Sequence, residues 1–245
     1  MKKILLLISF FPILLLGQQF DWIKSGPEIT QEASNDLLRS TSLSDDGTIM
    51  AVGANGNDGN GNNSGHVRVY ENISAVWTQI GSDIDGEAAD DNSGYSVNLS
   101  SDGNTLAIGA LWNDGNGNNS GHVRVYENIT GVWTQIGSDI DGEAADDLSG
   151  YSVSLSSDGN TVAIGAPFND GNGYDVGHVR VFENISGSWT QIGSDIDGLD
   201  DNGNFGGSTS LSSDGSMLAV GSRYGGNWNG STKIYENISG VWTQI

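Results

Sequence analysis

Carboxylates and amides crowd into two kinds of glycine-rich segment, and both recur along the chain. One reads Gly81-Ser-Asp83-Ile-Asp85-Gly-Glu87-Ala-Ala-Asp90-Asp91 and returns with Asp139, Asp141, Glu143, Asp146 and Asp147. The other reads Asn113-Asp114-Gly-Asn116-Gly-Asn118-Asn119-Ser120-Gly121, with counterparts at Asp58 and Asp170. Oxygen ligands on glycine-permitted bends suit calcium, which takes roughly six to eight oxygens in flexible geometry. Asp114, Asn116 and Asn118 alternate as ligands of an EF-type loop do, although its sixth position is Asn119 and its twelfth is Val125. The same residues also build turns by bonding side chain to backbone, which needs no ion. The candidate ligand face is therefore Asp58, Asp83, Asp85, Asp114, Asn116, Asp139, Asp141 and Asp170. No cofactor is required by this pattern, and calcium is the one it could accommodate.

Other reactive types fall at fixed places. His66, His122 and His178 each precede Val-Arg-Val, and the fourth counterpart is Ser231. Packing at an equivalent point of a repeated unit accounts for such placement better than a ring of metal ligands. Arg68, Arg124, Arg180 and Lys233 share one position and are expected to pair with acids. Recurring Trp residues read as packing on an outer strand, with carbohydrate stacking as the alternative. No His-Glu-x-x-His, Gly-x-Ser-x-Gly or cysteine nucleophile is present, so no enzyme is expected.

These groups are carried by an internal repeat. Trp77-Thr-Gln-Ile-Gly-Ser-Asp-Ile-Asp-Gly returns at Trp133 and at Trp189, at intervals of 56 residues. Trp22 and Trp242 open diverged copies. The units are 22–76, 77–132, 133–188 and 189–241, with a partial fifth at 242–245. Four strand signals recur, as in Tyr151–Leu155, Thr161–Gly165, His178–Phe182 and Trp189–Ile192. Tyr151, Val153 and Leu155 alternate with serine, the period of a strand with unlike faces. Thr161–Ile164 is more continuously apolar, as for a strand covered on both sides. Asp46-Gly47, Asp102-Gly103, Asp158-Gly159 and Asp214-Gly215 mark hairpins, since glycine accepts positive φ. Four antiparallel strands per unit predict an all-β propeller whose blades are stable only when stacked. The meander places the blade-joining loop and the loop between the middle strands at one end, and the Asp-Gly turns at the other.

The chain opens with Lys2-Lys3 and an apolar run from Ile4 to Leu16, which reads as a secretory signal peptide over 1–17. Its removal shifts the formal charge from −22 to −24, since it carries two lysines and no acid. Such acidity disfavours nucleic acid and favours cationic partners. No later segment is apolar enough to insert in a membrane. With no cysteine, core packing, with or without metal ions, must hold the fold.

The repeat resembles the FG-GAP repeat of integrin-α-type propellers and of many exported bacterial proteins. Phe205-Gly206-Gly207-Ser208, Gly165-Ala166-Pro167 and Gly121-His-Val-Arg-Val-Tyr126 carry its three elements, and Ser149-Gly150-Tyr151-Ser152-Val153 and Gly109-Ala110-Leu111 match in part. The first unit departs from it, with Leu37-Leu38-Arg39-Ser40 at the Phe-Gly position. Some members hold calcium in an Asp-x-Asp-x-Asp-Gly loop, where this chain has only Ser101-Asp102-Gly103-Asn104. The resemblance implies seven blades against four units here. The chain is thus either part of a longer propeller or a four-bladed ring closed by 242–245.

Together these readings predict a secreted or cell-surface, non-catalytic binding or adhesion module over 18–245 that presents an acidic loop face to a protein or glycan. A carbohydrate-binding or carbohydrate-processing propeller and a structural spacer of a larger exported protein are the alternatives.

Overall fold

The computed structural model describes residues 26–225 and 229–245. The signal-peptide segment and Trp22 lie outside them. The described residues form four antiparallel sheets. The first contains β1 (Leu38–Leu43), β2 (Ile49–Ala54), β3 (His66–Ile73) and β4 (Val76–Gln79). The second contains β6 (Ser93–Leu99), β7 (Thr105–Ala110), β8 (His122–Ile129) and β9 (Val132–Gln135). The third contains β11 (Ser152–Leu155), β12 (Thr161–Ala166), β13 (His178–Ile185) and β14 (Ser188–Gln191). The fourth contains β16 (Phe205–Leu211), β17 (Met217–Ser222), β18 (Ser231–Ile238) and β19 (Val241–Gln244). Three two-residue strands add to them: β5 (Ile84–Asp85), β10 (Ile140–Asp141) and β15 (Ile196–Asp197) pair with β3, β8 and β13.

These sheets are propeller blades, cut one strand later than the sequence units. The Trp strand that opens each unit closes the preceding sheet: β4 pairs with β3, and β19 with β18. Trp242 to Gln244 therefore completes the fourth sheet and does not close a ring on the first. In a tandem repeat the sequence leaves the phase free, and hydrogen bonding decides it.

The core lies between sheets. Leu106 and Ile108 of β7 join Val67 and Val69 of the first sheet, whereas Ala107 points the other way, to Val162 and Ile164. Val162 and Ile164 in turn face the second sheet while Ala163 faces Val220 of the fourth. Middle strands thus bury both pleat faces, which explains their continuous apolar runs.

Backbones meet at the motif glycines. A Cβ on Gly109 would run into the Gly150 carbonyl oxygen, and one on Gly53 or Gly165 into that of Gly94 or Gly206. The same carbonyls accept hydroxyl bonds from Ser40, Ser96 and Ser152, at 2.7, 2.7 and 2.8 Å. At the far end, Asp45 N–H donates to Ser101 O, Ser101 N–H to Ser157 O and Ser157 N–H to Ser213 O, tying the turns into a ladder. Each turn is closed locally as well: Ser100 Oγ and Asn104 N–H both donate to Asp102 Oδ1, with Gly103 at φ 73°.

Candidate functional site

All eight sequence-predicted face residues lie at the end opposite the Asp-Gly turns. Two loops build each repeat of that surface, and they are tied together. Asn60 Nδ2 donates to Gly86 O at 2.8 Å, Asp90 N–H to Asn62 O at 2.7 Å and Ser93 N–H to Ser64 O at 2.9 Å. Asn116 Nδ2, Asp146 N–H and Ser149 N–H repeat this with Gly142, Asn118 and Ser120.

The eight residues divide by role. Asp58, Asp114 and Asp170 each use Oδ1 to accept a backbone N–H five residues on, at 2.8, 2.7 and 2.7 Å, and stay exposed. Asn116 is turned onto the neighbouring loop, and Asn118 Nδ2 bonds Asp114 Oδ1. Asp85 and Asp141 sit on the two-residue strands, opposite His66 and His122. Their backbone carbonyls accept Arg124 Nη2 and Arg180 Nη2 at 2.7 and 2.6 Å.

Asp83 and Asp139 belong to a deeper arrangement that recurs three times: Glu32, His66 and Asp83; Glu87, His122 and Asp139; Glu143, His178 and Asp195. In each, ligand-capable atoms of a histidine, a glutamate and an aspartate lie within 4.8 Å of one another. The aspartate is held by a glutamine, with Gln79, Gln135 and Gln191 Nε2 at 2.7, 2.6 and 2.7 Å. Sequence reasoning assigned the histidines to packing and left the glutamates in the loops. The shared spacing of Glu87 with Glu143 and of His122 with His178 was the available signal.

Electrostatics follows burial. Desolvation, with Arg124 and Arg180 adding to it, lowers His122 and His178 to about 4, so both imidazoles are neutral near pH 7. Desolvation also lowers His66, though it is less buried. Burial raises Glu87 and Glu143, partly offset by their arginines. The Arg68 hydrogen bonds hold Asp83 below the usual carboxylate range.

Toward the sheets' inner strands the same end carries an aromatic row. The Arg39 guanidinium lies 3.8 Å over the Tyr95 ring, Tyr95 and Tyr151 are 5.1 Å apart, and Tyr151 and Phe168 are 6.4 Å apart. The fourth sheet has Gly207 at that position, beside a cavity of about 350 Å³ lined by Tyr151, Phe168, Asn204, Ser222 and Arg223. The outer tryptophans are committed to packing: Nε1 of Trp133, Trp189 and Trp242 donates to the carbonyl of Ile80, Ile136 and Ile192 on the preceding sheet.

Residues 83–126 match the family described as FG-GAP repeat. They run from the end of one sheet through the first three strands of the next. That one segment matches an FG-GAP repeat. No curated protein matches the chain. Among solved structures, a candidate 6-phosphogluconolactonase from Bacteroides uniformis aligns with a TM-score of 0.57 at 15% identity, over 84% of this chain and 53% of that one. Hydrazine synthase from Kuenenia stuttgartiensis aligns at 0.48 and 13%, over 84% and 53%. A candidate TolB from Agrobacterium tumefaciens aligns at 0.48 and 15%, over 82% and 58%. The chain spans about half the length of these structures. At such identity the first likeness bears on the fold alone. Among the described residues no helix is long and apolar enough to cross a membrane.

Proposed function

We propose that this FG-GAP chain is a secreted or cell-surface, non-catalytic binding module whose acid-rich end receives a cationic patch on a protein or glycan. One observation carries the reading: loops from successive sheets are hydrogen-bonded into a continuous surface that repeats its exposed Asp58, Asp114 and Asp170. Near-copies side by side give a multivalent surface, whereas a catalytic centre needs one place unlike the others. Multivalency turns weak single contacts into a useful affinity.

The test keeps the turns and removes charge. An asparagine Oδ1 can still accept the N–H that Asp58, Asp114 and Asp170 cap, so D58N/D114N/D170N preserves the loops. Binding of a lysine-rich peptide and of a panel of matrix proteins and glycans is read by interferometry at low and high salt. We expect a saturable, salt-sensitive partner whose affinity falls about tenfold or more in the triple variant, since rim charges act through screened attraction. The matched variant D102N/D158N/D214N at the opposite end should keep the affinity. Equal loss in both variants would refute a role for the loop end.

A carbohydrate reading is favoured by the cavity beside Tyr151 and Phe168, where an aromatic floor meets Asn204 and Arg223. Saturable quenching of tyrosine emission by a polysaccharide, lost in Tyr151→Ala, would support it; no quenching across a broad panel would remove it.

A further inference from the structure

The His–Glu–Asp groups are not explained by turn building or by the loop surface. The His122 and His178 side chains are 2% exposed, yet neither imidazole makes a hydrogen bond within the described residues. His122 Nδ1 instead stands 3.9 Å from a carboxylate oxygen of Glu87 and 3.9 Å from one of Asp139. His178 Nδ1 is 3.7 Å from Glu143 Oε2. These separations are too long for hydrogen bonds, which need about 2.7–3.2 Å. They approach the roughly 3–4 Å that separates N and O ligands about 2.0–2.2 Å from one metal, and the third ligand atom of each group lies within 4.8 Å of the others.

The surroundings prepare such a centre. Gln135 and Gln191 orient the two aspartates from behind, the outer support that metal-binding carboxylates use. Arg124 and Arg180 lie 3.6 and 3.7 Å from Glu87 and Glu143 but give their Nη2 to the carbonyls of Asp85 and Asp141. Their Nε atoms are buried without a partner. One guanidinium stands against two carboxylates in each group, so the acids outnumber the fixed cation. Imidazole with carboxylate selects a first-row transition dication over calcium, which prefers oxygen alone.

At the first sheet the place is taken. Arg68 Nε and Nη2 clamp both oxygens of Asp83 at 2.8 and 2.7 Å and also pair with Glu32. The guanidinium stands where a cation would.

We infer that the chain binds two transition-metal dications of the zinc class, one on Glu87, His122 and Asp139 and one on Glu143, His178 and Asp195, and none on Glu32, His66 and Asp83. Water fills the remaining coordination positions, and the ions pin each glutamate-bearing loop to the following sheet. The inference is independent of which partner the loop surface receives.

The chelator-treated full chain is titrated with cobalt(II), read by visible absorption and by calorimetry, and the cobalt is then displaced with zinc. The expected result is two ions per chain with ligand-field bands that zinc removes and millimolar calcium does not. E87Q/E143Q alters only half-exposed side chains and should weaken binding tenfold or more with an unchanged circular dichroism spectrum. H122N/H178N should abolish it, and H66N should leave it at two. Absence of ligand-field bands, or binding equally tight in E87Q/E143Q, overturns the inference.

Discussion

The first sheet and the two that follow share the segment Gly-His-Val-Arg-Val and place it alike on β3, β8 and β13, yet their arginines do different things. Arg124 and Arg180 reach a backbone carbonyl on the two-residue strand of the preceding sheet. No such strand precedes Arg68 among the described residues, where 28–31 have no strand conformation, and it closes on Asp83 and Glu32. The neighbour, rather than the residue set, decides whether the acidic cluster is filled by a guanidinium or left open. Junctions between blades thus hold the candidate ligand groups as well as the packed core.

A glycine at an inner junction and its copy on the fourth sheet separate these roles most strongly. Gly109→Ala drives a Cβ into the Gly150 carbonyl, a backbone group that cannot turn aside as the Ser96 hydroxyl can. Urea melts should show a loss of about 3 kcal/mol or more, at the upper end for overpacking. Gly221→Ala meets chiefly the Ser208 hydroxyl, which can turn away, so its cost should stay within about 1 kcal/mol. Similar costs at the two sites would break the distinction between covered and uncovered sheets.

Acid should expose the junctions next. His122 and His178 are held near pKa 4 in the folded chain, whereas an unfolded histidine titrates near 6.5. Between those values the unfolded chain binds more protons, so stability falls as pH drops from about 6.5 to about 4 and levels off below. The combined effect is on the order of a few kcal/mol. Glu87 and Glu143, raised by burial, oppose the trend just above the ordinary glutamate range. With chelator present, urea midpoints should fall over this interval, and H122Q/H178Q should flatten the slope. H66Q should flatten it less, since His66 is less buried. A midpoint independent of pH from 7 to 4.5 would contradict the burial of neutral imidazoles.

Much of this architecture was legible beforehand. Alternation in Tyr151–Leu155, the apolar run at Thr161–Ile164 and the Asp-Gly pairs led to the strands and turns, and the meander led to one acid-rich end. The two-residue strands were not legible, because Ile84-Asp85 is too short to show a period. Nor was the meeting of Glu87, His122 and Asp139, which are scattered over one repeat length and converge only when sheets stack. Asp114, Asn116 and Asn118 illustrate the converse, since an alternation that suits ion ligands is spent on ties within and between loops. Arg68 and Arg124 sit in identical local sequence, so no reading of that segment could tell them apart.

The difference between those two arginines is open to direct measurement. Cobalt(II) is titrated side by side into the wild-type chain and into Arg68→Gln, which removes the clamp on Asp83 and Glu32 while leaving the second and third sheets untouched. If the guanidinium alone keeps the first cluster closed, the count rises from two ions per chain to three. An unchanged count, or a wild-type chain that already takes three, would contradict that account.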